Sequence, residues 1–200
     1  MPKQGHTDII CILDRSGSMG SIKNDAIGGF NTFIEAQRKV PGTATVTLVL
    51  FDNEYLVPYS NVDIRQVNLL DDSTFVPRGN TALFDAIGKT VNDTNERIGK
   101  MADADKPEKV IVCILTDGEE NASHEFKNHQ IKEMIEKQRS EKKWEFAFLA
   151  ANQDAFTAAK SMGISQDYTS GFVSDSKGTK AAYLAMSSMT KRYRTDPTNN

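Results

Sequence analysis

Two short segments of this chain are apolar at every position except for one thiol each: Ile9-Ile10-Cys11-Ile12-Leu13 and Val110-Ile111-Val112-Cys113-Ile114-Leu115. Continuous β-branched runs bounded by turn residues read as strands buried on both faces. A sheet with such strands at its centre needs helices over both of its faces. That restricts the chain to α/β architectures with a largely parallel sheet. Each run also ends in a turn that carries a carboxylate, Asp14-Arg15-Ser16-Gly17-Ser18-Met19 after the first and Thr116-Asp117-Gly118 after the second. In open α/β sheets the carboxyl ends of the strands are where ligands bind.

The rest of the chain fills in the same pattern. Ser21 to Lys39 has helical spacing at Ile22, Ala26, Ile27, Phe30, Phe33 and Ile34, with Pro41-Gly42 ending it. Ala44 to Phe51 reads as a strand, and the tight turn Asp52-Asn53 forces the strand beginning at Tyr55 to return antiparallel, with Pro58 at a sheet edge. Asp63 to Pro77 is irregular, with a short helical turn expected around Val67 to Leu70. A long helix is predicted from Arg78-Gly79-Asn80-Thr81 to about Met101, capped by Asn80, followed by a polar linker from Asp103 to Lys109.

Beyond the second apolar run the expected elements are a helix from Glu125 to Lys142 and a strand from Trp144 to Ala151. A short helix from Asp154 to Met162, stopped by Gly163, a weak strand from Ile164 to Phe172 and a last helix from Ser176 to Tyr193 complete the set. The fold class expected is a three-layer α/β/α, doubly wound, mostly parallel sheet with one antiparallel edge strand. One domain over 1–200 is expected, with its core at about 7–194 and a frayed tail at 195–200.

Charge and cysteine usage narrow the function. With 24 Lys plus Arg against 27 Asp plus Glu the net charge is -3, which gives no footprint for nucleic acid or an anionic membrane. No segment approaches the ~18 apolar residues of a membrane span. The start of the chain leads into the first strand without a secretory apolar region, so a cytoplasmic protein is expected. Cys11 and Cys113, each inside an apolar run, read as packing thiols in a reducing compartment rather than as a redox pair.

The chemistry sits in three separated places. Asp14, Ser16 and Ser18 follow the first core strand, Thr81 opens a helix behind Gly79, and Asp117 ends the second core strand. In a parallel sheet all of these share one rim, so five oxygen side chains can converge there. Two carboxylates and three hydroxyls are too few charges for a buried all-protein Ca²⁺ cage. They match Mg²⁺, which keeps waters and needs one or two carboxylates. Oxygen ligands also suit Mn²⁺ and Ca²⁺, and the set leaves a coordination position open.

Asp14-x-Ser16-x-Ser18, Thr81 within Gly79-Asn80-Thr81-Ala82-Leu83, and Asp117 within Thr116-Asp117-Gly118 resemble the metal-ion-dependent adhesion site (MIDAS) of von Willebrand factor A domains. The likeness extends to the order of elements along nearly the whole chain. It implies that Ser16, Ser18 and Thr81 ligate the metal directly, with Asp14 and Asp117 acting directly or through water. It also implies that the open position accepts an Asp or Glu of a partner protein. With no disulfide framework, and with Arg15 and Met19 flanking the motif, the chain looks more like the stand-alone bacterial or phage members, including those associated with tellurite resistance, than like the secreted adhesion proteins.

Competing readings of the same residues are weaker. An EF-hand loop would need Gly where Met19 stands, and a helix rather than a strand before it. Phosphotransferases of the haloacid dehalogenase type share the layout, but their second Asp is here Ser16, and a hydroxyl with no base beside it cannot transfer that proton. Gly17 to Lys23 lacks the spacing of a phosphate-binding loop, and His124 and His129 are five apart rather than the four a zinc-binding helix face needs. A non-enzymatic binding module is therefore expected, with a metal-dependent phosphoryl-transfer or hydrolytic enzyme and a scaffold with a structural metal as alternatives. Asp52, Asp85, Glu119 and Glu120 lie near the same rim with roles the sequence leaves open.

Overall fold

The computed structural model describes residues 2–151 and 155–196. In chain order its elements are β1 (Lys3–Asp14), α1 (Lys23–Arg38), β2 (Thr43–Phe51), β3 (Tyr55–Asp63), α2 (Leu83–Lys100), β4 (Pro107–Thr116), α3 (Asn128–Lys142), β5 (Glu145–Ala151), α4 (Ala155–Ser161), β6 (Thr169–Phe172) and α5 (Ser176–Thr195). The strands form one sheet in the order β3-β2-β1-β4-β5-β6. Every pairing is parallel except β2 with β3, so the antiparallel strand is an edge, and Pro58 lies on it as expected. The fold is the three-layer α/β/α arrangement anticipated above.

The apolar runs sit at the centre because they have two faces to bury. On one face Ile9, Cys11 and Leu13 of β1 and Ile111, Cys113 and Leu115 of β4 pack under α1 and α5. On the other, Ile10, Ile12, Val112 and Ile114 pack under α2, α3 and α4. Cys11 and Cys113 are register partners on neighbouring strands, both fully buried and both free. The packing role assigned to them holds.

The chain runs from β1 outward to β2 and later returns to β4 on the other side of β1. The crevice between the carboxyl ends of β1 and β4 is thus the point where the direction of winding reverses.

Several boundaries differ from the sequence expectation, each for a long-range reason. The turn expected at Val67 to Leu70 lies instead at Ile64–Gln66, where the Asp63 carboxylate accepts the Arg65 N–H at 2.9 Å. Residues 67–70 form no helical turn and are tied to side chains of α1: Arg38 donates to the Val67 carbonyl, and Asn31 exchanges two hydrogen bonds with Leu70. β4 begins at Pro107, inside the expected linker, because Lys3 to Thr7 extend β1 and pair beside it.

α3 starts at Asn128 rather than Glu125, since the N–H groups of residues 124–126 are taken by Asp85. Of the weak strand expected from Ile164, only Thr169–Phe172 pairs, and Gln166–Tyr168 form a 3-10 turn. Asp154, where the short helix was expected to begin, and residues 197–200 of the expected frayed tail lie outside the described residues. Arg194, 9 % exposed, donates to the Gln37 carbonyl at 2.7 Å and ties α5 to α1.

Candidate functional site

At the winding reversal Asp14, the last residue of β1, and Ser16 and Ser18 of the loop behind it gather beside the end of β4. Asp14 is fully buried, and its two oxygens are both engaged. The Ser16 N–H donates to Oδ1 at 2.6 Å and the Thr116 hydroxyl donates to Oδ2 at 2.6 Å. Ser16 Oγ and Ser18 Oγ lie 3.1 Å apart, and the Ser18 hydroxyl donates to Asp117 Oδ1 at 2.7 Å. Asp117 Oδ2 faces Ser174, whose hydroxyl donates to it at 3.5 Å from the turn before α5.

Thr81 closes the set from a third loop. A methyl group placed on Gly118 would stand 2.9 Å from Thr81 Oγ1, 3.6 Å from Ser18 Oγ and 3.7 Å from Asp14 Oδ2. Three of the five oxygens therefore converge on a space that the missing side chain of Gly118 keeps open, and hydrogen bonds join the other two to them. All five predicted residues are brought together.

The electrostatics fit a cation. Burial pushes the Asp14 carboxyl up to about 6, partly offset by the Thr116 and Ser16 donors and reinforced by the charge of Asp117. Burial also raises Asp117, against the opposing hydrogen bond from Ser18. None of the groups acting on either carboxylate is cationic. Two adjacent carboxylates desolvated without a positive partner are costly, and a bound metal ion is the usual remedy. Among the described residues no group of three His, Cys, Asp or Glu side chains could hold a metal, so an all-charged site is absent. The donor set here is two carboxylates and three hydroxyls, of the hard type that suits Mg²⁺ or Mn²⁺.

The three loops are braced against each other. Gly17 N–H donates to the Gly79 carbonyl at 3.0 Å and Arg78 N–H to the Arg15 carbonyl at 2.8 Å. Gly79 has φ +67°, a left-handed conformation that costs glycine little. Asp52, 1 % exposed, accepts the Glu54 N–H on Oδ1 at 2.6 Å, and its Oδ2 receives Arg15 at 3.0 Å and Arg78 at 2.9 Å.

Asn80 is not the cap of α2. Its N–H donates to Asn53, the Thr81 N–H donates to Asn121 at 2.9 Å, and the helix begins at Leu83. The first free N–H groups of α2 are met from the loop after β4. Glu120 accepts from Phe84 at 2.9 Å and the Ser123 hydroxyl accepts from Asp85 at 3.1 Å. Glu120 thus caps N–H groups at the start of α2 and is not an idle surface charge, and Asp85 likewise accepts backbone N–H groups. Glu120 also accepts the N–H groups of Ala122 and Ser123, while Asp85 accepts those of His124, Glu125 and Phe126.

Sequence reasoning gave Thr116, Ser174, Asn53 and Asn121 no part in supporting the site. Only Thr116 had a local signal, a hydroxyl directly before Asp117 at the end of a buried strand. The others act through contacts between distant parts of the chain.

Gly118 offers a clean test of the cluster. Its backbone is not left-handed, so Gly118→Ala should leave the melting temperature within a few degrees of wild type. The new methyl displaces the Thr81 hydroxyl, and Mn²⁺ affinity by isothermal titration calorimetry should fall at least about tenfold. Unchanged affinity would mean that Thr81 is not a ligand.

No protein-family model matches this chain, and no curated protein matches it in sequence. Solved structures do. Proximal thread matrix protein 1 of the mussel byssus, in a form with a zinc-occupied MIDAS motif, superposes with a TM-score of 0.64 at 15% identity over 94% of this chain and 46% of its own. VWA2 of Sulfolobus acidocaldarius, a paralog of ArnB, gives 0.56 at 17% identity over 88% of this chain and 44% of its own. Manganese-loaded TRAP protein of Plasmodium vivax gives 0.56 at 15% identity over 89% of this chain and 72% of its own. The chain spans less than half the length of the mussel and archaeal proteins. At these identities the likeness is one of fold, and that fold is the von Willebrand factor A type.

Proposed function

We propose that this chain is a divalent-cation-dependent protein-binding module. Asp14, Ser16, Ser18, Thr81 and Asp117 hold one ion, Mg²⁺ in the resting state with Mn²⁺ or Ca²⁺ as substitutes, and an Asp or Glu of a partner protein completes the ion's shell. The observation that carries this reading is the convergence of two carboxylates and three hydroxyls on the space beside Gly118 with no cationic side chain among them. Metal-loaded relatives of the same fold, with zinc in one and manganese in another, support a divalent ion at such a site.

Bound there, the ion supplies an electrophile for an oxygen anion. The hydroxyls of Ser16, Ser18 and Thr81 contribute lone pairs without charge, so the ion is left under-neutralised and attractive to a partner carboxylate. Thr116 and the Ser16 N–H hold Asp14 in one orientation. The free, adjacent thiols of Cys11 and Cys113 fit a reducing, cytoplasmic setting, and Arg15 and Met19 beside the motif support the bacterial or phage type of module.

Affinity capture from lysate in Mg²⁺ against EDTA tests this. A partner retained only in Mg²⁺ and lost in Thr81→Ala is expected. Hydrolysis of a generic phosphomonoester, abolished by Asp14→Asn, would overturn the reading in favour of an enzyme. A charge variant probes the electrophile directly. Ser16→Asp should bind Mg²⁺ at least as tightly by calorimetry, yet retain the captured partner about tenfold less well. Undiminished retention would show that the ion's residual charge is irrelevant.

A further inference from the structure

Among the described residues, a groove of about 290 Å³ opens beside the oxygen cluster. Leu83, Phe84, Phe148 and Met162 wall it, and Thr116 and Gly118 form its border with the proposed cation site. The same Gly118 that keeps the space between the ligands open therefore also opens onto an apolar cleft. The cleft exceeds the ~150 Å³ that accepts a benzene ring in an apolar cavity, so a large side chain fits it. Its mouth carries Glu119, which is exposed and makes no ion pair among the described residues.

We infer that this groove receives a large apolar side chain two positions away from the partner's acidic residue, so that the segment recognised is an extended acid–x–apolar stretch. The inference rests on the cation reading above and adds to it the chemistry of the partner. An extended chain rises about 3.3 Å per residue and sends alternate side chains to the same side. Two residues apart, the acid can reach the ion while its neighbour on that side reaches the cleft across Gly118. A cation site attracts one carboxylate, Glu119 repels a second one entering the groove, and the walls of Leu83, Phe84, Phe148 and Met162 complement an apolar side chain there. Glu120 also lines the groove and is hydrogen-bonded only by neutral N–H groups and the Ser123 hydroxyl, so its charge adds to that repulsion.

The test uses the whole chain and two synthetic nonapeptides of glycine and serine with one central aspartate. One peptide carries leucine two positions to either side of the aspartate, which covers both chain directions, and the other carries serine there. Binding is read by heteronuclear NMR titration in Mg²⁺ and in EDTA. The leucine peptide should bind about tenfold tighter than the serine peptide in Mg²⁺, neither should bind in EDTA, and the extra shifts should fall on Leu83, Phe84 and Met162.

Ala158→Phe, on the half-buried wall of the groove, should erase the leucine advantage and leave Mg²⁺ affinity and the serine peptide unchanged. Equal affinities in Mg²⁺ would remove the groove from recognition while sparing the cation site. Metal-independent binding of both peptides, or of neither in any condition, would instead remove the cation reading on which the inference stands. Leucine binding that persists in EDTA, or self-association of the chain sensitive to Ala158→Phe in sedimentation, would assign the groove to another occupant and overturn the inference.

Discussion

Asp14→Asn should abolish divalent-cation binding and, in EDTA at pH 7.5, make the protein more stable than wild type. The carboxylate is fully buried with no cationic neighbour among the groups that act on it, and its pKa stands at about 6. The folded pKa lies above the unfolded one of about 3.9, so the metal-free folded state binds the proton more tightly than the unfolded chain. The stabilisation this provides is complete below about pH 4 and is lost as pH rises through about 6. At neutral pH, then, the ion-free protein carries an uncompensated charge.

Asparagine removes that charge without disturbing the neighbours. Its carbonyl still accepts the Ser16 N–H, and its amide can donate to the Thr116 oxygen while the Thr116 hydroxyl turns to the Gly118 carbonyl at 3.1 Å. Melting curves in EDTA from pH 4 to 7.5 should fall for wild type and stay flatter for the variant. Mg²⁺ should raise the melting temperature of wild type alone, and its affinity should weaken about tenfold per pH unit below about 6 as protons compete. A variant less stable than wild type in EDTA at pH 7.5 would contradict the electrostatic account of the cluster.

Asp52→Ala should cost about 3 kcal/mol of stability and loosen cation binding as well. Arg15 is 5 % exposed and Asp52 1 %, so removing the carboxylate strands a guanidinium in a place water does not reach. Glu54, 3.7 Å away with its side chain 58 % exposed, is too solvated to replace it, and Arg78 at 49 % relaxes into water. Urea unfolding should show a lower midpoint at an unchanged slope.

Arg15→Met added to Asp52→Ala should recover more than half of the loss, since no unpaired charge then remains. Cation affinity should not recover in parallel. Asp52 holds the loop bearing Asp14 and Ser16 against the loop bearing Thr81, and methionine cannot restore that brace. A single-variant cost below about 1 kcal/mol would show that Arg15 finds water or another partner.

What could be read in advance follows from how each feature is encoded. Burial on both faces is written locally, as apolar runs at Ile9 to Leu13 and Val110 to Leu115, and the two runs are the strands on either side of the winding reversal. Parallel strands end on one rim, so residues directly behind each run had to meet there, and Asp14, Ser16, Ser18 and Asp117 do. Thr81 was placed by its resemblance to a motif and by its position behind Gly79.

The start of α2 could not be read, because its N–H groups are met by Glu120 and Ser123 of another loop, and Asn80 gives its own to Asn53. Asp85 was ambiguous for the same reason: its three N–H partners lie 39 to 41 residues away. The sequence by itself thus determined the central strands, the layered class and the rim that holds the oxygens, since periodicity and strand direction are local properties. Only the tertiary structure decided which polar groups brace that rim, that Thr116 orients Asp14, and that an apolar groove lies against Gly118, since these depend on distances between segments that no local pattern records.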